Sequence, residues 1–162
     1  MHQLDSDKIR TYSEGIYNTV IVKDIEDRDQ RIADDPNKRK INDNILLKTI
    51  AQYLASTIGS PVSVKNVTGY LASTGRKVSA STVDCYMNAL KEAFIFYSVQ
   101  RFDSSGKKLL KTLNKWYIVD LGLRNYILTK KTCDLGFLLE NIVYFELLRR
   151  GYRVNNIYSS VC

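Results

Sequence analysis

Glu140 and Glu146 are the two carboxylates in the C-terminal part of this 162-residue chain that invite a chemical reading. Carboxylates can hold a hard divalent cation through their oxygens only where they converge on it. Six residues at about 100° each set these two roughly 120° apart around a helix, so they do not easily share an ion. No acidic residue follows Glu146. His2 is the only histidine and sits at a chain end, which removes most histidine-based zinc sites and a Ser-His-Asp triad. Cys85, Cys133 and Cys162 form an odd set without a CxxC pair, which suits a reducing compartment better than a disulfide framework. The single Ser-Gly-Lys, at Ser105–Lys107, has Arg101 where a phosphate-cradling loop needs glycine, so ATP hydrolysis is not expected. What remains is chemistry of contact. Arg76, Lys77, Lys107, Lys108 and Lys111 can engage phosphates, and Ser79, Ser81, Thr82 and Asn88 can hydrogen-bond phosphates or base edges.

Those residues need elements to position them. Ile9, Tyr12, Ile16, Val20 and Ile25 recur at helical steps, predicting a first helix from Asp5 or Ser6 to about Arg31, which Asp34-Asp35-Pro36-Asn37 ends. Lys38-Arg39-Lys40 reads as a solvated linker. A second helix carries Ile45, Leu46, Ile50, Tyr53, Leu54 and Ile58 and stops at Gly59 with Pro61 beyond. Ser63 caps a third, with Val64, Val67 and Leu71, closed by Gly75. Ser79 caps a fourth, whose Val83, Met87, Leu90 and Phe94 line one face. The tight Ser73–Val78 join is the layout of a helix-turn-helix. Phe94–Phe102 and Lys115–Val119 then read as strands around a turn at Asp103-Ser104-Ser105-Gly106. Three helices and a hairpin with a basic tip make a winged helix-turn-helix.

Asp120 caps a helix over Leu121–Leu128, and Asp134 opens another over Leu135–Arg150 that Gly151 stops. The latter is apolar nearly all round, which predicts burial on every side. It reads as the start of a domain that continues beyond this chain. The predicted fold class is mainly α with a small β-hairpin (α+β). Its parts are an N-terminal helical segment and linker (1–37), a winged helix-turn-helix (38–120) and a helical start of a further domain (121–162).

Composition adds bounds. With 44% hydrophobic and 25% charged residues, 8 Gly and 2 Pro, the chain is of ordinary globular type. No apolar run is long enough to span a membrane, and the N-terminus lacks a signal-peptide pattern, so a cytoplasmic location is expected. The net charge of +7 is one-sided. Residues 1–60 hold 9 basic and 10 acidic residues, while 61–162 hold 15 and 7, a net +8. Such a surface attracts polyanions.

Longer motifs carry a resemblance. The stretch Glu14-Gly15-Ile16-Tyr17-Asn18-Thr19-Val20-Ile21-Val22-Lys23-Asp24-Ile25, then Gly106-Lys107-Lys108, is followed by Trp116-Tyr117-Ile118-Val119-Asp120-Leu121-Gly122-Leu123-Arg124-Asn125. Leu138-Leu139-Glu140-Asn141-Ile142-Val143-Tyr144 and Glu146-Leu147-Leu148-Arg149-Arg150-Gly151-Tyr152 complete the set. In this order they resemble the C-terminal region of a family of prokaryotic AAA-type ATPases with a C-terminal domain of unknown function. The resemblance implies a winged helix followed by a PD-(D/E)XK nuclease-like domain. It makes Glu140 a vestigial position, matching the family's first acidic residue, because the rest of that motif is missing here.

The expected function is a non-catalytic winged-helix module, with no cofactor and no metal, that binds double-stranded DNA through its fourth helix and basic wing. Five cations on phosphate would give a slope of log K on log salt near −4 to −5. Asp84 counts against base readout, since a carboxylate repels phosphate. The alternative is a docking or interdomain-linking module that binds no nucleic acid. A homodimer is expected through the 135–150 helix, burying Leu138, Ile142 and Phe145 against a second copy.

Overall fold

The computed structural model describes residues 6–17, 19, 25, 41–103, 108–128, 135–154 and 156–157. In chain order the elements are α1 (Ser6–Ile16), α2 (Asn44–Ser56), β1 (Pro61–Val62), α3 (Val64–Ser73) and α4 (Ala80–Glu92). They continue with β2 (Phe96–Asp103), β3 (Lys108–Ile118), α5 (Leu121–Leu128), α6 (Leu135–Arg149) and β4 (Asn156–Ile157). This is a mainly helical α+β fold. From α2 to β3 the succession is helix, short strand, two helices and a β-hairpin, flanked by helices on both sides.

Capping side chains begin the helices where the sequence places them. Asp43 Oδ1 accepts from the Leu46 N–H at 2.9 Å, starting α2. Ser63 and Asn66 cap each other's backbone N–H groups at the start of α3, and Ser79 Oγ accepts from Thr82 N–H at 3.1 Å at the start of α4. Gly75, at φ +86, lets the chain turn back after α3, with Arg76 N–H donating to Leu71 O at 2.9 Å. Asp120 Oδ1 caps α5 by accepting from Leu123 N–H at 2.6 Å.

The sheet has the order β1-β3-β2-β4. The first three strands are antiparallel, with Val62 opposite Asn114 and Phe96 opposite Ile118; β4 is parallel to β2. Alternation along β3 sorts its side chains onto two faces. Trp116 and Ile118 join the main core with Leu46, Leu47, Ile50 and Leu54 of α2, Val67 and Leu71 of α3, and Val83, Met87 and Leu90 of α4. Tyr117 faces the other way, into a smaller cluster with Val99 of β2 and Tyr144 of α6. The sheet therefore lies between the helix-turn-helix and α6.

Several expectations need correction. β1 has only two residues and no strand signature of its own; pairing with Pro61↔Lys115 and Val62↔Asn114 makes it a strand. β3 runs well beyond its β-rich stretch, starting at Lys108, while β2 starts at Phe96, two residues later than expected. Phe94 does not continue the apolar face of α4. That helix ends at Glu92, and Phe94 adopts φ +57 with its ring 69% exposed. Nor is α6 buried on every side: Leu135, Leu139, Ile142 and Val143 are all more than half exposed. Of the trio expected to form a dimer contact, Leu138 packs on the main core and Phe145 on the smaller cluster, leaving Ile142 outward. The described α-helix at the N-terminus ends at Ile16. Its expected continuation to Arg31 falls mostly outside the described residues, as do the linker over 34–40, the turn at 104–106 and the Asp134 cap.

Candidate nucleic-acid interface

The N-terminal turn of α4 carries the hydroxyls the sequence singles out. Ser79 Oγ lies 3.0 Å from Ser81 Oγ and 2.8 Å from Thr82 Oγ1, besides capping the helix. Ser81 is exposed and Thr82 half-buried, with Lys77 exposed just before them. Further along, Asn88 Nδ2 donates to Asp84 Oδ2 at 3.1 Å, so the amide that was to read bases is engaged by the carboxylate one turn earlier. Ser81, Asp84, Asn88 and Lys91 follow one another at helical spacing on the exposed side of α4.

Arg76 has a partner within the chain. Its guanidinium is ion-paired to Asp43 Oδ2 while the other oxygen of that carboxylate caps α2. The Asp43 N–H in turn donates to the Tyr86 hydroxyl at 3.1 Å. Arg76 thus ties the turn of the helix-turn-helix to the start of α2, and its sequence neighbourhood gave no sign of an aspartate 33 positions away. Lys107 lies outside the described residues. Lys108 and Lys111 stand on β3 by backbone, Lys108 opposite Asp103.

Beside α4, a groove of about 330 Å³ opens toward the sheet. Asp84, Met87, Asn88 and Lys91 wall one side; Ser98, Gln100, Asn114 and Trp116 wall the other. Sequence reasoning assigned no role to these strand residues. The signal was there in the period: Ser98, Gln100 and Asn114 are polar residues at the strand positions that face the helices.

Glu140 is engaged by β3. Its Oε1 accepts from Lys115 Nζ at 2.8 Å and from the Tyr117 hydroxyl at 2.6 Å. Glu146 turns elsewhere, accepting from Arg149 and Arg150. Those hydrogen bonds, Arg149's first, hold its carboxyl down at about 2. Among the described residues no three His, Cys, Asp or Glu side chains gather as metal ligands, and no helix is long and apolar enough to cross a membrane.

Known proteins place the chain without naming an activity. An uncharacterized protein of Haemophilus influenzae is 35% identical over 145 residues, covering 90% of this chain and 34% of that protein. An uncharacterized protein of Methanocaldococcus jannaschii is 26% identical over 109 residues, covering 67% of this chain and 24% of its own length. The chain thus spans about a third or less of these relatives. No solved structure matches it. Residues 2–134 match a domain of unknown function, DUF8612, and it is to this family that the chain belongs.

Proposed function

We propose that the chain is a non-catalytic winged-helix module that binds double-stranded DNA, with α4 as the helix presented to the duplex and the β2–β3 hairpin as its wing. The observation that carries this reading is the character of the exposed side of α4. It bears Ser81, Asp84, Asn88 and Lys91, and none of the large exposed hydrophobic residues among those described lies on it. A helix that docks on a protein presents apolar anchors; this one presents hydrogen-bonding groups next to a lysine-bearing hairpin. Its acidic member makes phosphate contact the main source of affinity, with little base readout.

Pairing of Arg76 with Asp43 reduces the available phosphate contacts to Lys77, Lys107, Lys108 and Lys111. Fluorescence anisotropy with a labelled duplex at several salt concentrations is the test. Four cations give a slope of log K on log salt of about −3.6, and Lys107→Ala with Lys108→Ala reduces its magnitude by about 1.8. Absence of binding at low salt sinks the reading. In this view the module acts in the cytoplasm of a prokaryote, within a protein related to the AAA-type ATPases. That assignment rests on the sequence motifs, and the relatives, one bacterial and one archaeal, are consistent with the source.

A second reading draws on α6, whose exposed stripe of Leu135, Leu139, Ile142 and Val143 suits a homodimer. Antiparallel pairing centred on Leu139 sets Leu135 against Val143 and Ile142 against Gly136 of the other copy, a self-complementary register. Light scattering then gives twice 18.6 kDa, returning to the monomer mass with Leu139→Glu. A monomer at all concentrations rejects it.

A further inference from the structure

Two buried polar atoms on β3 have no hydrogen-bond partner: the Trp116 indole Nε1 and the Asn114 Oδ1. Both residues line the groove between α4 and the sheet. Trp116 is only 4% exposed. They stand two positions apart on one strand and so on the same face. A buried donor and a buried acceptor left unmade each cost about 1–3 kcal/mol, so native proteins rarely leave two together without a reason. One lacks an acceptor, the other lacks a donor. From α4 the same groove receives a carboxylate, Asp84, and an ammonium, Lys91. Asp84 and Lys91 stand seven positions, about two turns, apart on the side of α4 that walls the groove.

We propose that this groove binds a small zwitterion of amino-acid type, its carboxylate meeting the Trp116 N–H and Lys91, its ammonium meeting the Asn114 oxygen and Asp84. Val62, Val64 and Met87 supply the apolar wall for the rest of the molecule. The volume is at the lower end of small-ligand pockets, which suits a metabolite of this size. Lys91 and Gln100, on opposite walls of the groove, are exposed. This site goes beyond DNA binding and does not depend on it.

Trp116 is the chain's one tryptophan, so its emission reports directly on the groove. The twenty L-amino acids are titrated singly, to millimolar concentration, into the full chain, with adenosine and guanosine as a second ligand class. At least one amino acid is expected to shift Trp116 emission saturably and to raise Tm. Asn114→Leu removes an acceptor that has no partner, so the Tm of the apo protein does not fall, while the affinity falls about tenfold. Should that variant fail to fold, Lys91→Met, at the exposed rim, is expected to weaken binding in the same way. Three results overturn the proposal: no saturable response to any amino acid, a response to the nucleosides alone, or unchanged affinity in the folded variant.

Discussion

Phe94 breaks two rules at once, since it is a large apolar side chain left in water on a left-handed backbone. It closes α4 with its N–H donating to Lys91 O at 3.0 Å, while the Ile95 N–H reaches Leu90 O at 3.3 Å. That terminating turn usually carries glycine, because a Cβ there costs about 1 kcal/mol or more. Phe94→Gly should therefore raise the stability by about 0.5–1 kcal/mol in urea unfolding, after allowing for the lost contact of its ring with Tyr97. A loss of stability would show that the ring contributes more than its conformation costs. Gly75 and Gly59, both at positive φ, made the ends of their helices legible from sequence. Phe94 did not. Its four-residue spacing from Leu90 extends the apolar period past the point where the helix stops, and no glycine marks the turn.

The position of α6 depends on two adjacent polar residues more than on its many apolar ones. Asn141 is 2% exposed; its Nδ2 donates to Ile118 O at 3.0 Å and its Oδ1 accepts from Ile118 N–H at 2.9 Å. The amide thus takes the place of a neighbouring strand at the end of β3. Next to it, Glu140 holds Lys115 and Tyr117, while Tyr144 stacks on Tyr117 at 4.1 Å between ring centroids. At Gly59, a Cβ would come within 3.0 Å of the Phe137 ring, so that glycine allows α6 its close approach. Asn141→Ala leaves both Ile118 groups unpaired in a buried place and should cost about 2–4 kcal/mol in urea unfolding. Ile142→Ser, on the exposed side, should cost under about 0.5 kcal/mol. Equal losses in the two would mean that α6 is not seated as described. The sequence showed a helix here and hid its orientation. A helix apolar all round has no face that periodicity can pick out, and the residues that choose the face are an asparagine and a glutamate. Glu140 was legible as an unusual acid, but its cation and hydroxyl stand 23 to 25 positions earlier, where only strand pairing brings them near.

For the molecule as a whole, buried tyrosines set the alkaline limit of stability, Tyr17 and Tyr144 most strongly, with Tyr53 and Tyr86 raised in the same direction by burial. Burial, with the neighbouring Tyr126, pushes the Tyr17 hydroxyl up to about 12, and burial, with Tyr97, does the same for Tyr144. The ordinary value is about 10, so between pH 10 and 12 the folded chain holds protons that the unfolded chain has released. Stability is unaffected by these groups below pH 10 and falls as the pH rises through that window. Urea midpoints measured from pH 8.5 to 11 should decline above 10, and less steeply in Tyr144→Phe. A flat profile would place both hydroxyls in water. The helix-turn-helix half was the readily legible part of this molecule, because caps, glycines and apolar spacing agree there. The pairing of Arg76 with Asp43 and the groove at Trp116 were not, since both arise from contacts between elements far apart in sequence. β3 joins the halves, with Asn114 and Trp116 on the groove side and Lys115 and Tyr117 beneath α6. Its parity matters as much as its composition. One residue inserted between Val99-facing Lys115 and Trp116 would exchange the occupants of the two faces for the rest of the strand, turning the indole toward α6 and the Tyr117 ring toward the helix-turn-helix. Two residues inserted there would restore the phase, so the groove and the seat of α6 should be lost, and regained, together.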